Sequence, residues 1–189
     1  MNVITFREAW QYGGPLMWVL VALSVIALAV CMYVWFSQRR NALMPHALVS
    51  DVLEAFRKGD VLEARRLAER TPSAFSDLVL ARDVQAEGGR IAARLNSSVE
   101  WLADIAAIAP LVGLLGTVLG MFGAFGGIAS DVAANAKPVV LAQGVSQAIV
   151  TTIFGLVVAI PALLAFAVLR RRAGRRIAEL EVLADEIRH

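Results

Sequence analysis

The side chains of this sequence best suited to chemistry are amides and hydroxyls placed inside an apolar segment. Gln143, Gln147 and Thr151 recur every fourth residue, a spacing that stacks them on one side of a helix. Ser146 and Thr152 add two hydroxyls beside them. A primary amide in hydrocarbon is costly unless it has a hydrogen-bond partner. The cluster therefore predicts either interhelical hydrogen bonds that hold a bundle together or, as we favour, a polar seam open to water.

A stripe of glycines marks the preceding apolar segment. The steps of three and four residues place them on one helix face: Gly113, Gly116, Gly120, Gly123 and Gly127. A matching face of small residues follows later in the chain, formed by Gly144, Ala148 and Gly155. In lipid, small residues allow two helix backbones to approach closely. The two segments are therefore predicted to pack together, with Thr117 beside the stripe.

Both segments lack ionisable side chains, since Ile105–Ser130 and Pro138–Leu169 contain no Asp, Glu, His, Lys or Arg. Proton movement across a membrane normally uses such groups as relays. A proton path along this chain would therefore need a titrating group from another polypeptide. The sequence also offers no Ser/His pair, carboxylate dyad or Cys-rich cluster, and His46 and His189 are isolated. We expect neither an enzyme nor a site for a cofactor or metal.

The elements that must position these residues are membrane helices. Of the 189 residues 58% are hydrophobic and 18% are charged, and a third charge-free run covers Ala9–Gln38. About 20 apolar residues suffice for one crossing, so the three runs predict an all-α protein with three transmembrane helices. This class argues against a soluble enzyme. It also excludes a nucleic-acid binder, although the isoelectric point is near 9.1.

Basic residues predict the orientation. Ten of the 18 Lys and Arg residues lie in residues 39–104 and six lie from Arg170 onward, so the positive-inside rule places both regions in the cytoplasm. With three crossings, the N-terminus and the turn between the last two helices face outward. The basic residues at the helix exits are expected to anchor the chain to anionic headgroups: Arg39, Arg40, Arg170, Arg171 and Arg172.

The long hydrophilic segment is predicted to form two or three amphipathic helices, because its apolar residues recur about one helical turn apart. Gly59-Asp60 predicts a helix break followed by an N-cap, and Thr71-Pro72 predicts the next helix start. Gly88-Gly89 is expected to be a weak point. The last of these helices is expected to continue into the membrane through Trp101.

Two motifs give the chain a close resemblance to the ExbB/TolQ/MotA proton-channel family, and to ExbB most. They are APLxGLLGTVxGM at residues 109–121 and QAxVTTxxGLxVAIPA at residues 147–162. Thr117 and Thr152 match the threonines that the family is taken to direct at a partner's aspartate. Gln147 stands where ExbB proteins often have a glutamate, and an amide cannot titrate.

The resemblance implies a homo-oligomer, a pentamer by the family pattern, in the bacterial inner membrane. It surrounds the helices of an ExbD-like partner that brings a transmembrane aspartate, and a TonB-like protein carries energy to outer-membrane transport. Thr117, Thr152, Thr151, Gln147 and Ser146 are then expected to line the proton pathway. The alternatives are a Tol-like envelope-maintenance motor subunit and a non-conducting membrane scaffold.

This interpretation divides the chain into seven segments. They are a periplasmic lead-in (1–14), a first transmembrane helix (15–36), a cytoplasmic helical loop (37–100), a second transmembrane helix (101–130), a periplasmic turn (131–137), a third transmembrane helix (138–169) and a basic amphipathic cytoplasmic tail (170–189).

Overall fold

A computed structural model describes residues 14–129 and 137–188, and all regular secondary structure in these ranges is helical. The helices are α1 (Leu16–Ser37), α2 (Arg40–Leu43), α3 (His46–Arg57), α4 (Val61–Arg70), α5 (Ala74–Leu80), α6 (Val84–Ala129) and α7 (Lys137–Arg188). Helices α1, α6 and α7 are long and apolar enough to cross a membrane, which confirms the predicted all-α class with three candidate spans. The predicted lead-in, apart from Gly14, and the predicted turn, apart from Lys137, lie outside the described residues.

Helices α6 and α7 are much longer than a bilayer requires, with 46 and 52 residues against the roughly 20 of one crossing. Helix α7 continues from its apolar part through the arginine-rich tail, as expected from the sequence. The predicted weak point at Gly88-Gly89 is wrong, because α6 runs through both glycines. A glycine costs a helix about 1 kcal/mol. Gly88 lies against Leu78, where an added Cβ would be 3.7 Å from the leucine Cδ2, so packing supports the helix there.

The hydrophilic segment forms four short helices and the first part of α6, which is more than the two or three predicted, and α6 continues through Trp101 as expected. Gly59, with φ of +78°, ends α3, and the Asp60 carboxylate accepts the Glu63 N–H at 3.0 Å as the predicted N-cap of α4. The start predicted at Thr71-Pro72 is wrong, since the N-cap of α5 is Ser73. The Ser73 hydroxyl accepts the Ser76 N–H and the Ser76 hydroxyl accepts the Ser73 N–H, a reciprocal cap that is complete only one residue past the proline.

The described chain divides into two compact units. One comprises residues 14–29 with Trp101–Ala165, and is therefore built from the first part of α1 and the apolar parts of α6 and α7. Its buried cluster joins Met17 and Leu20 of α1 to Ala109 of α6 and Ala159 of α7. Large residues on α1 meet small residues on the other two helices, which is how three apolar helices pack closely in lipid.

The second unit comprises Val30–Glu100 and residues 166–188. Within it α3 packs on α4, and α5 contacts both α4 and α2. Deeply buried apolar side chains in this unit include Val52, Phe75, Leu78, Val99 and Leu169. On the exposed face of α3, the hydrogen bond and charge of Lys58 lower the pKa of Glu54, and the same contact raises the pKa of Lys58. Both groups are fully exposed, so the pair is a surface feature rather than part of a site.

Candidate functional site

Helices α6 and α7 approach each other so closely that glycine is required at the contact. A Cβ on Gly155 would lie 2.8 Å from the Ala109 carbonyl oxygen and 3.2 Å from the Gly113 Cα. At the next contact along the pair, a Cβ on Gly120 would lie 3.0 Å from the Gly144 carbonyl oxygen. Real Cβ atoms rarely come this close to backbone, so the main chains themselves are in contact.

The glycine stripe of α6 does not act as one surface within the chain. Gly113, Gly116 and Gly120 face α7, and a Cβ on Gly116 would overlap the Thr151 side chain. An added Cβ on Gly127 would meet Val140 of α7 at 2.9 Å. Gly123 instead has no atom of the described residues within 4 Å of an added Cβ. Only part of the stripe is therefore used for contact between α6 and α7.

The three threonines of the site make different hydrogen bonds. Thr152 donates across the helix pair to the Gly113 carbonyl oxygen at 3.3 Å. Thr117, one helical turn beyond Gly113, donates to the Leu114 carbonyl of its own helix at 2.6 Å. Thr151 is fully buried and its hydroxyl lies 3.1 Å from the Gln147 carbonyl oxygen and 3.0 Å from that of Ala148. Thr151 thus serves helix packing, whereas Thr117 and Thr152 are only partly buried.

This arrangement determines what the hydroxyls can do chemically. A threonine hydroxyl has one proton to donate and two lone pairs that accept. With the proton directed at a backbone carbonyl, Thr117 and Thr152 still offer acceptor lone pairs to an approaching O–H group. At 3.3 Å the Thr152 contact is longer than the usual O–H···O bond of about 2.5–3.0 Å and is therefore weak, so this hydroxyl can turn toward an anion at low cost.

Gln147 has a neighbour that the sequence did not reveal. Its side-chain amide occupies the space beside Gly14, where an added Cβ would be 2.5 Å from Nε2. Gly14 also has φ of +64°, which side-chain-bearing residues rarely adopt, so its backbone conformation favours glycine. Gln147 and Ser146 are half-buried, whereas Gln143 is exposed. The residues of the predicted polar seam thus range from fully buried at Thr151 to exposed at Gln143.

The basic residues predicted to anchor the chain belong to the second unit, and most have a partner there. The guanidinium of Arg39 lies 4.3 Å from the Phe36 ring centre, and that of Arg170 lies 5.6 Å from the Phe166 ring centre. Arg172 lies 4.7 Å from the Trp35 ring centre. Arg40 Nε is 3.5 Å from a carboxylate oxygen of Glu179, and Arg171 is exposed. Glu179, which sequence reasoning missed, joins this group through its contacts with Arg40 and Arg176.

The chain has three apolar helices that could span a membrane, and two of them meet at hydroxyl groups without any charge. These features define a multi-pass membrane protein. No group of three or more metal-ligating side chains occurs in the described part of the chain.

Residues 56–182 match the MotA/TolQ/ExbB proton channel family. The chain is 34% identical over 172 residues to a Synechocystis sp. protein named as the biopolymer transport protein ExbB-like 1, covering 83% of this chain and 67% of that relative. It is 35% identical over 133 residues to the biopolymer transport protein ExbB of Pseudomonas putida, covering 70% and 37%. The Tol-Pal system protein TolQ of Pseudomonas aeruginosa is 27% identical over 218 residues, which cover 98% and 93%. The chain belongs to the MotA/TolQ/ExbB proton channel family.

Proposed function

We propose that this chain forms the wall of a proton channel in a motor driven by the proton-motive force, and that it energises TonB-dependent outer-membrane transport. The observation that carries the proposal is the hydrogen bond from Thr152 to Gly113, beside Thr117, between two helix segments without ionisable side chains. An ExbD-like partner supplies the missing carboxylate. The motor sits in the bacterial inner membrane, with the N-terminus in the periplasm and the basic regions in the cytoplasm.

The hydroxyls would serve both protonation states of the partner's aspartate. A protonated carboxyl group donates its O–H to a lone pair of Thr117 or Thr152. An ionised carboxylate can only accept, so a hydroxyl must leave its backbone carbonyl and donate instead. Thr152 is the better candidate for this turn because its 3.3 Å bond is longer than the 2.6 Å bond of Thr117.

Exposed apolar surface is available for assembly into a homo-oligomer, which we propose is a pentamer. Phe122 is 77% exposed in the single chain, and Leu111 and Leu164 are also largely exposed. In a membrane such faces meet lipid or other helices. Gly123, which no described residue of the same chain contacts, would let a neighbouring subunit approach α6.

A Tol-like role in maintaining the cell envelope is the second candidate, and the match to TolQ over 98% of this chain favours it. Deleting the gene for this protein from its host distinguishes the TonB-linked role from the Tol-like role. Loss of energised uptake with normal detergent resistance supports the TonB-linked role. Detergent sensitivity with normal uptake supports the Tol-like role.

The experiment that tests the proposed function is proton flux into liposomes. The chain is reconstituted alone and together with its single-span partner, a membrane potential is applied, and internal pH is followed with a trapped dye. We expect proton entry only when both proteins are present, and none when the partner's membrane aspartate is replaced by asparagine. Complexes that assemble fully but never admit protons would favour the non-conducting scaffold.

Substitutions at Gln147 test whether the chain needs a carboxylate of its own. Gln147→Ala is expected to lower proton flux less than about fivefold, since a neutral hydrogen bond contributes about 1 kcal/mol. Gln147→Glu is expected to change the pH dependence of the flux, because it adds a titrating group to a segment that has none. Both are measured in the liposome assay from pH 5 to 8. Complete loss of flux in an assembled Gln147→Ala complex would contradict the minor role assigned to the amide.

A further inference from the structure

A cavity of about 330 Å³ lies in the second unit, at the point where the apolar part of α7 becomes basic. It is lined by Trp35 of α1 and by Val168, Arg172, Arg175, Arg176 and Glu179 of α7. None of these six residues takes part in the hydroxyl site of α6 and α7, so the proton-channel proposal leaves the cavity without a role.

Positive charge dominates the cavity, with three guanidinium groups against one carboxylate. The carboxylate is already engaged: Arg176 Nη1 lies 2.9 Å from both oxygens of Glu179, and Arg40 Nε lies 3.5 Å from one of them. Arg172 and Arg175 form no ion pair within the residues that the structure describes. Two arginines are therefore available to a bound anion, and guanidinium forks suit phosphate oxygens.

Part of the Arg176 side chain also lacks a partner. Its Nε–H donor is buried out of reach of solvent, yet no acceptor for it occurs in the described structure. A buried donor without an acceptor is unfavourable by about 1–3 kcal/mol. An anion in the cavity would allow this guanidinium to reorient and complete its hydrogen bonds.

The other wall of the cavity is apolar. Trp35 is 45% exposed near the end of α1, and the Arg172 guanidinium lies over its ring. Tryptophan side chains favour the membrane–water interface. Val168, also exposed, belongs to the apolar part of α7. A free phosphate would use only the arginines, whereas a phospholipid would use the arginines for its headgroup and the apolar wall for its acyl chains.

We propose that this cavity is a binding site for the headgroup phosphate of an anionic phospholipid. Arg172 and Arg175 bind the phosphate oxygens, and Trp35 with Val168 contacts the start of the acyl chains. The site is a specific one, separate from the general attraction of Arg170 and Arg171 to a negative surface.

Lipid retention by the full chain tests the proposal. The protein is reconstituted into nanodiscs of phosphatidylcholine and phosphatidylglycerol at a 4:1 ratio, and the lipid retained after transfer to detergent is counted by native mass spectrometry. We expect the wild type to retain phosphatidylglycerol preferentially. Arg172→Gln/Arg175→Gln should lower that retention about tenfold, since it removes charge-assisted hydrogen bonds. Unchanged retention in this variant, with a wild-type circular dichroism spectrum, overturns the site.

Two further measurements distinguish a specific lipid site from diffuse attraction to a negative surface and from a site for free phosphate. Arg170→Gln/Arg171→Gln removes the same charge from the same helix but not from the cavity lining, and we expect a distinctly smaller loss. An equal loss in both variants would mean diffuse surface attraction and overturn the proposal. Inorganic phosphate at 10 mM should leave the retained lipid in place, and displacement of the lipid by phosphate would overturn the assignment to a lipid.

Discussion

Replacing both Thr117 and Thr152 with valine is expected to lower proton flux through the assembled complex about a hundredfold. Valine keeps the shape of threonine and removes only the hydroxyl. A hydrogen bond to a charged group contributes about 1.5 kcal/mol or more, so two lost bonds amount to about 3 kcal/mol in the barrier. Each 1.36 kcal/mol corresponds to a factor of ten in rate. The liposome assay with the partner present measures the flux, and size-exclusion chromatography shows whether the complex remains assembled.

The matched control is the pair of serine substitutions at the same positions, which keep both hydroxyls and should retain most of the flux. Thr151→Val gives a second comparison. Its hydroxyl bonds only to carbonyls of its own helix, so we expect a smaller loss than Thr152→Val produces. Wild-type flux in the double valine variant would remove Thr117 and Thr152 from the path. An equal loss for Thr151→Val and Thr152→Val would mean that packing, rather than proton transfer, limits the flux.

The class of fold could be predicted from the sequence because charged residues of a membrane protein lie in the segments that contact water and are absent from the segments that cross the lipid. Long charge-free runs have one stable outcome in lipid, a helix that satisfies its own backbone. The number and type of long helices followed directly from Ala9–Gln38, Ile105–Ser130 and Pro138–Leu169. The ends of the short helices were harder to predict, because an N-cap depends on which side-chain hydroxyl reaches a free backbone N–H, as at Ser73.

The candidate site could be predicted only in its composition. Thr151 and Thr152 are adjacent, and a helix turns about 100° between them, so spacing alone left open which one faces α6 and in what way. The structure packs Thr151 against Gly116 and directs the Thr152 hydroxyl at Gly113. The spacing of the glycine stripe of α6 likewise left open which glycines contact α7. Gly120 and Gly123 share a helix face, but of these two only Gly120 contacts α7. Contacts between distant segments, such as Gln147 with Gly14, left no periodic signal at all.

Replacing Gly155 with alanine is expected to destabilise the helix pair by about 2 kcal/mol or more. The new Cβ would lie 2.8 Å from the Ala109 carbonyl oxygen and 3.2 Å from the Gly113 Cα. These are backbone atoms, so no side chain can rotate away and the helices must separate. Separation would also lengthen the 3.3 Å bond from Thr152 to Gly113, and flux should fall together with stability. Unfolding in increasing sodium dodecyl sulfate, followed by circular dichroism, measures the change.

Gly174→Ala is the matched control, because it is the same substitution on the same helix at a position where the described part of the chain has no atom within 4 Å of the added Cβ. Alanine is the better helix former by about 1 kcal/mol, so this variant should be as stable as the wild type or more stable. Gly123→Ala completes the comparison: the isolated chain should keep its stability, whereas assembly should weaken if a second copy approaches Gly123. Wild-type unfolding of Gly155→Ala would show that α6 and α7 lie farther apart than the glycine contacts require. The hydroxyl of Thr152 would then lack its acceptor, and the channel wall would need another arrangement.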